Sequence, residues 1–557
     1  MTDKKVTLSL PNGTNVQKPL EYRLEDLAKE WTPDSGSMIV AAKVNNKLRE
    51  LTYHLEEDGK VEWIDLRSLD GVRIYQRSLS FVFIRAAMEL YKNVHVNVEH
   101  SLSGGLYCEL EHEFPLQDAD YRKIKDRMIQ IIGDDEPFFK ESVKKEEAEA
   151  IFTKFNMKSK VHLLKYRNYP RLNLYTSGWL KNYFYGYMVP STGYIKHFDL
   201  LPYDRGVILR HPTRRFPDQL PPFEENPKLA AVFHEAERWG EILNVDYVAK
   251  MNDLISTGDQ FDMIKVAEAL HEKRVAEIAD QITDSGKRVV LIAGPSSSGK
   301  TTFANRLMVQ LKVNGLNPVT VSTDDYFVDR DKTPVDENGD YDFESIDAVD
   351  TAQFNDDLAA LLKGDHVDLP TFNFQTGTRE YGHHSMKIDR DQPIIIEGIH
   401  GLNEKLTADI DKKDKFKIYI SALTQLNIDD HNRIPTTDTR LLRRIVRDSK
   451  YRGHSAARTI EMWPSVRRGE VRNIFPFQED ADAMFNSALV YELAVLKKHA
   501  EPLLEAIDPS EPEYTEALRL LKFLSYFLSI EEDHYIPYTS ILKEFIGGSG
   551  FRSGEME

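Results

Sequence analysis

Apolar and polar residues alternate through the first part of the chain. Val6-Thr-Leu-Ser-Leu10 and Met38-Ile-Val-Ala-Ala-Lys-Val44 read as strands, and Pro11-Asn-Gly13 and Asn45-Asn46 read as the turns between them. One helical stretch, Leu24 to Trp31, lies among them, so residues 1–68 predict a small β-rich domain with a single helix. Over 69–212 the period changes repeatedly. Helices are expected at Ser78 to Tyr91, Asp118 to Ile132 and Glu141 to Phe155, and strands at Val94 to Val98 and Gly105 to Leu110. A proline-rich stretch, Pro212 to Pro227, reads as a linker. The pattern over 213–284 is then helical from Leu229 to about Ser285. Three short apolar runs follow: Val289 to Ala293, Pro318 to Ser322 and Pro393 to Ile396. They have the character of strands buried on both faces, and residues 285–505 predict an α/β domain with a mainly parallel sheet. Residues 506–557 predict a helical tail, apolar over Ala517 to Leu528, with a Gly- and Ser-containing end expected to fray.

The first strand of that sheet runs directly into Gly294-Pro-Ser296-Ser297-Ser298-Gly299-Lys300-Thr301, with Thr302 opening a helix. The spacing G-x-x-x-x-G-K-[ST] between strand and helix is a phosphate-binding loop. Its glycines let the backbone curl so that N–H groups face phosphate oxygens, and the helix N-terminus adds partial positive charge. Lys300 is expected to neutralise β- and γ-phosphates, and Thr301 to hold Mg²⁺. The next strand ends in Thr323-Asp324-Asp325-Tyr326, where a carboxylate can take a proton from an attacking hydroxyl. The third ends in Glu397-Gly398-Ile399-His400, an acidic strand end suited to a metal ion. Arg440, Arg443, Arg444 and Arg447 recur at i, i+3, i+4, i+7. With Arg452, Arg458, Arg467, Arg468 and Arg472 following, this spacing predicts a basic helical stripe with few compensating acids, serving as a mobile lid over a nucleotide.

Composition narrows the class. A chain of 557 residues is too long for one core, and 41% hydrophobic with 29% charged residues is ordinary for a globular protein. One cysteine, Cys108, excludes a disulfide framework and points to the cytoplasm. No apolar run reaches spanning length, and no signal-peptide apolar region follows Met1-Thr-Asp-Lys-Lys. A net charge of −18 disfavours general nucleic-acid binding, so any RNA contact has to come from a local patch. Two apparent metal motifs fail. His234-Glu235 lacks a second histidine at position 238, where Arg238 stands, and His383-His384 sit in a polar loop.

Residues 1–212 resemble the N-terminal region of threonyl-tRNA synthetase. The stretches that carry the likeness are Val44-Asn45-Asn46, Ala87-Met88-Glu89-Leu90, Gly104-Gly-Leu-Tyr107 and Val189-Pro-Ser-Thr-Gly193. The resemblance implies a β-grasp (ubiquitin-like, TGS) domain at 1–68 and an α+β editing-type domain at 69–212. Where that family places a metal-type cluster of histidines and a cysteine, this chain has Arg77, Phe81, Phe184 and Met188. Phenyl and thioether groups do not replace imidazole and thiolate ligands, so the fold is expected without the editing chemistry.

Residues 285–500 resemble the uridine kinase (uridine-cytidine kinase) family and its relatives the phosphoribulokinases. The matching segments are Gly294 to Thr302, Ser322-Thr-Asp324, Phe343-Glu344-Ser-Ile-Asp347, Glu397-Gly398-Ile399 and Asp438-Thr-Arg-Leu-Leu-Arg-Arg444 through Arg452-Gly453. The resemblance implies ATP and Mg²⁺ as cofactors and transfer to the 5′-hydroxyl of a nucleoside, uridine or cytidine first. It makes Asp324 the catalytic base, Lys300 the phosphate ligand, Thr301 and Glu397 the metal site, and Glu344 a ribose ligand. Arg444, Arg447 and Arg452 become substrate and lid arginines, and Tyr326 and Phe372 face the substrate. Gly377 stands where the family has a base-reading histidine, which leaves the base open. Other nucleosides or a sugar phosphate remain alternative acceptors. An RNA-binding or regulatory protein with a nucleotide switch is the alternative of another class, and a homo-oligomer is possible. The segment Ala422 to Thr437 is longer than the resemblance requires.

Overall fold

The computed structural model describes residues 4–31, 36–335, 339, 341–373, 376–424 and 426–551. The fraying expected beyond 551 and the first three residues lie outside the described residues. Residues 5–65 form a five-stranded mixed sheet. Gly59–Asp65 lies at its centre, parallel to Lys5–Ser9 of one antiparallel hairpin (with Asn15–Pro19) and antiparallel to Ile39–Val44 of the other (with Lys47–Glu50). The helix Leu24–Lys29 lays Leu24 and Leu27 on its apolar face, against Leu8, Val44 and Val61.

The next element is a 22-residue helix, Leu69–Leu90, longer than the pattern predicts. Gly71 sits in its first turn, where any Cβ would collide with the Asp65 carbonyl. Ser68 caps the helix, accepting from the Gly71 N–H at 3.0 Å. The expected helix from Glu141 needs correction. Phe139–Lys144 is a strand paired antiparallel with Arg171–Ser177, and the helix begins at Lys145. Only Val143 is buried in that strand, so the charged residues Lys140, Glu141 and Lys144 leave little alternation to read. The helical stretch after the prolines breaks into Pro227–Leu243, Val248–Thr257 and Gln260–Ser285. Asn244 and Gly258, both at left-handed φ, close the first two.

The C-terminal sheet is parallel throughout. Its order is Val319–Ser322, Ile394–Glu397, Val289–Ala293, Lys415–Ser421, Ala483–Asn486. Val289–Ala293 is buried along its whole length, as a central parallel strand must be. The loop and its helix, Lys300–Val313, leave its carboxyl end, and Asp324 and Glu397 leave the ends of the two strands to one side.

The long segment before the arginine helix has a structural use. It forms a hairpin, Asn427–Asp429 with Asn432–Arg433, which enters the N-terminal half. Asp429 pairs with Lys160 with both side chains fully buried, the Val98 N–H donates to the Asp430 carbonyl at 2.8 Å, and His431 lies over Phe184. One apolar cluster therefore runs from Phe81 and Phe184 through Ile428 and Leu441 to Phe523 and Tyr526 in the tail. Among the described residues no helix is long and apolar enough to cross a membrane.

Removing one partner of a buried ion pair leaves an uncompensated charge. Lys160→Met is expected to destabilise the protein by about 3–5 kcal/mol, read from the urea midpoint. A loss below about 1 kcal/mol would mean that the Asn432 amide and the His431 N–H, which also donate to Asp429, satisfy it unaided.

Candidate functional site

A loop that turns its N–H groups inward to a ligand turns its carbonyls outward, and these need donors. Two arginines supply them. Arg440 Nε donates to the Ser296 carbonyl at 2.9 Å, and Arg443 Nη1 to the Ser297 carbonyl at 3.3 Å. Both side chains are essentially inaccessible, at 1% and 0% exposure, and each guanidinium is paired with an equally buried carboxylate, Arg440 with Glu470 and Arg443 with Glu492. The expectation of a basic stripe with few compensating acids is therefore corrected. Leu441, Leu442, Ile445 and Val446 are buried as well, so the helix Thr436–Tyr451 is enclosed from Asp438 to Val446, and only its last turn reaches the surface. The compensating acids come from distant segments (470 and 492) and from Asp448, against which Arg444, Arg447 and Arg452 gather at 3.2, 2.7 and 3.9 Å. Arg444 also donates to the Ser296 hydroxyl at 2.7 Å.

The loop has the strained geometry its sequence requires. Ser297 and Gly299 are at φ 60° and 83°, and a Cβ on Gly294 would collide with the Ile420 carbonyl of the neighbouring strand. Ser297 and Ser298 are buried with hydroxyls that have no protein partner. Lys300 Nζ donates to the Gly294 and Pro295 carbonyls at 3.1 and 3.3 Å. Burial pulls its ammonium below the ordinary lysine range, while Glu397, Glu544, Asp324 and Glu344 draw it back up.

Thr301 and Glu397 meet: the hydroxyl lies 3.0 and 3.2 Å from the two carboxylate oxygens. Burial raises the Glu397 carboxyl to about 7, with Lys300 opposing and Asp324 reinforcing the shift. A hydroxyl and one carboxylate are hard oxygen donors of the kind Mg²⁺ accepts when phosphates and water complete its shell. Gly398 is needed beside them, since a Cβ there would collide with the Thr323 hydroxyl. The next residue, Asp324, is exposed at the strand end. Glu344 lies in the same field. Burial raises its carboxyl, while Lys300 and Arg444 lower it.

Two expected substrate contacts are placed differently. Tyr326 is 1% exposed, its hydroxyl donates to Asp357 at 3.0 Å and its ring packs edge-on against Phe354, so it belongs to the core. Phe372 is also buried, edge-on to Phe327. Exposed aromatic rings of this region include Phe343, beside Glu344, and Tyr341. Gly377 is at φ 74°, and a Cβ there would stand 2.8 Å from Arg330 Nε, so a guanidinium fills the space of the missing side chain. Phe374 and Gln375 of that segment lie outside the described residues.

In the N-terminal half, Phe81 and Phe184 pack at 5.0 Å, Met188 is buried, and Arg77 Nη1 donates to the Tyr187 carbonyl at 2.6 Å. Apolar packing and the inserted hairpin fill the region around Phe81 and Phe184. Among the described residues no group of three His, Cys, Asp or Glu side chains is placed to hold a metal.

Fold and site together define a P-loop nucleotide-binding domain. Residues 289–494 match the family described as Phosphoribulokinase / Uridine kinase, and the chain carries a C-terminal kinase domain of that family. Its N-terminal region is homologous to threonyl-tRNA synthetases. The Threonine--tRNA ligase of Bacillus velezensis is 29% identical over 197 residues, covering 35% of this chain and 31% of its own length. Threonine--tRNA ligase 1 of Bacillus subtilis gives the same identity and coverage. The chain thus spans 31% of the length of these curated relatives. A solved structure described as a possible uridine kinase from Bacillus stearothermophilus is 26% identical, covering 26% of this chain and 79% of that one, with a TM-score of 0.22.

A carboxyl raised on folding makes the folded state bind more protons than the unfolded one. Its stability contribution is therefore present at low pH and lost as pH rises toward 7. Glu397→Gln is expected to remove a fall in ligand-free stability on the order of 2–3 kcal/mol between about pH 4.5 and 7. Parallel denaturation curves for the two proteins across that range would contradict this.

Proposed function

We propose that the protein transfers the γ-phosphoryl group of ATP to a hydroxyl of a small acceptor, the 5′-hydroxyl of a nucleoside, with uridine or cytidine first. The reading rests on one juxtaposition: Lys300 in the loop, the Thr301–Glu397 pair, and the carboxylates of Asp324 and Glu344 all acting on the same ammonium. Asp324 accepts the proton of the acceptor hydroxyl. The freed oxygen forms its bond to the γ-phosphorus as the bond to the bridging oxygen breaks, and ADP departs. Lys300 and the loop N–H groups hold the β- and γ-phosphates in line, and Arg447 and Arg452, gathered on Asp448, would neutralise the transferring charge. Mg²⁺ bound at Thr301 and Glu397 would neutralise phosphate charge. Glu344 would accept hydrogen bonds from ribose hydroxyls, and Phe343 offers a ring for stacking on a base.

One observation favours a second acceptor class. Gly377 has no side chain to read a base, and Arg330 fills the space where its Cβ would stand, which leaves a sugar phosphate as the second acceptor. For the N-terminal half, the inserted hairpin favours a structural role over capture of an RNA end.

A panel of nucleosides and sugar phosphates with radiolabelled ATP separates these acceptors. Label is expected in the 5′-position of uridine or cytidine. Release of phosphate with no labelled acceptor would sink the kinase reading. Asp324→Asn should lose roughly 10²–10⁴ in turnover while binding of ATP survives. Near-normal turnover would remove Asp324 from the chemistry.

A further inference from the structure

The C-terminal segment reaches the phosphate loop. In the short helix Lys543–Ile546, Glu544 Oε2 accepts from the Thr302 N–H at 3.2 Å and from the Thr302 hydroxyl at 2.7 Å. Thr302 lies in the first turn of the 14-residue helix that the loop opens, among the N–H groups that such a loop offers to phosphate oxygens. Glu544 also adds to the field at Lys300, together with Glu397, Asp324 and Glu344. Four carboxylates thus act on one ammonium. A triphosphate gains nothing from a further fixed anion at its own donors.

We propose that Glu544 is a built-in phosphate mimic. Its carboxylate occupies a phosphate-oxygen position of the loop in the nucleotide-free protein, and an incoming nucleotide has to displace it. This rests on the reading of the loop as a triphosphate site.

The backbone around Glu544 is fixed on both sides. Ile541 is buried against Gly299, where a Cβ would stand 2.5 Å from its methyl group. Ser540 donates to the buried Glu268 at 2.5 Å. Beyond Glu544, the Phe545 ring lies 5.0 Å under the Arg443 guanidinium, and Lys450 Nζ donates to the Ile546 carbonyl at 2.7 Å. The carboxylate is the movable part: rotation of one side chain vacates Thr302 while the segment stays seated. The device is a side-chain gate, and it raises the nucleotide concentration at which the site fills. Its charge-assisted bonds to Thr302 are of the same kind that phosphate would make, so the competition is direct.

The test compares wild type, Glu544→Ala, Glu544→Gln and Lys300→Ala in direct titrations with a non-hydrolysable ATP analogue and Mg²⁺. Glu544→Ala is expected to bind about tenfold tighter than wild type, since one displaced charge-assisted contact is worth a factor of that order. Glu544→Gln keeps the shape and an acceptor but loses the charge, and should fall between them. Unchanged or weaker binding in Glu544→Ala overturns the gate and makes Glu544 a helix cap or a nucleotide ligand. Should wild type, Glu544→Ala and Lys300→Ala all fail to bind the analogue, the triphosphate site itself falls, and the gate with it.

Discussion

A phosphate-binding loop is an inverted piece of backbone: the donors it offers a ligand oblige its acceptors to face the protein. Here that obligation is met by guanidinium groups with almost no solvent contact. Arg440 and Arg443 hold the Ser296 and Ser297 carbonyls, and Glu470 and Glu492 hold the arginines. Glu470 also accepts from the Ser296 N–H at 3.1 Å, so one carboxylate joins the arginine to both sides of the same loop. A desolvated arginine is tolerable only when its donors are satisfied, and these spend theirs on loop carbonyls and acids together. The loop's shape is therefore a property of the arginine helix as much as of its own glycines.

The arginine helix is in turn fixed from outside the kinase domain. At its start, Asp438 accepts from Arg73 of the long N-terminal helix at 2.8 Å and from Arg519 of the tail at 2.6 Å. Just before it, the hairpin carrying Asp429 is held by Lys160. A path of charged contacts thus leads from the synthetase-like half to the loop: Arg73, Asp438, the helix, Arg440, Ser296. Through this path the placement of the N-terminal half bears on the geometry of the loop.

Local pattern made much of this visible in the chain itself. The strand before the loop was legible residue by residue, because Val289 to Ala293 is both apolar and short, and the loop motif has one geometry. The Thr301–Glu397 meeting followed from acidic strand ends in a parallel sheet. What stayed hidden was long-range. Arginines at helical spacing look like a solvated face when their acids lie at 470 and 492, and nothing near Glu544 announces that its partner is Thr302, about 240 residues away. Tyr326 is hidden for a related reason: two residues past the exposed Asp324, its ring is buried in the core against Phe354.

The apolar cluster from Phe81 to Tyr526 ties the two halves into one cooperative unit. Parts joined only by a connecting segment can be separated by cutting it. Here the hairpin Asn427–Asp429 with Asn432–Arg433 lies within the N-terminal half, and the tail packs on the same cluster. Severing the connecting segment would leave apolar surface uncovered on both sides if the halves parted, so the cut pieces are expected to stay together or to unfold together.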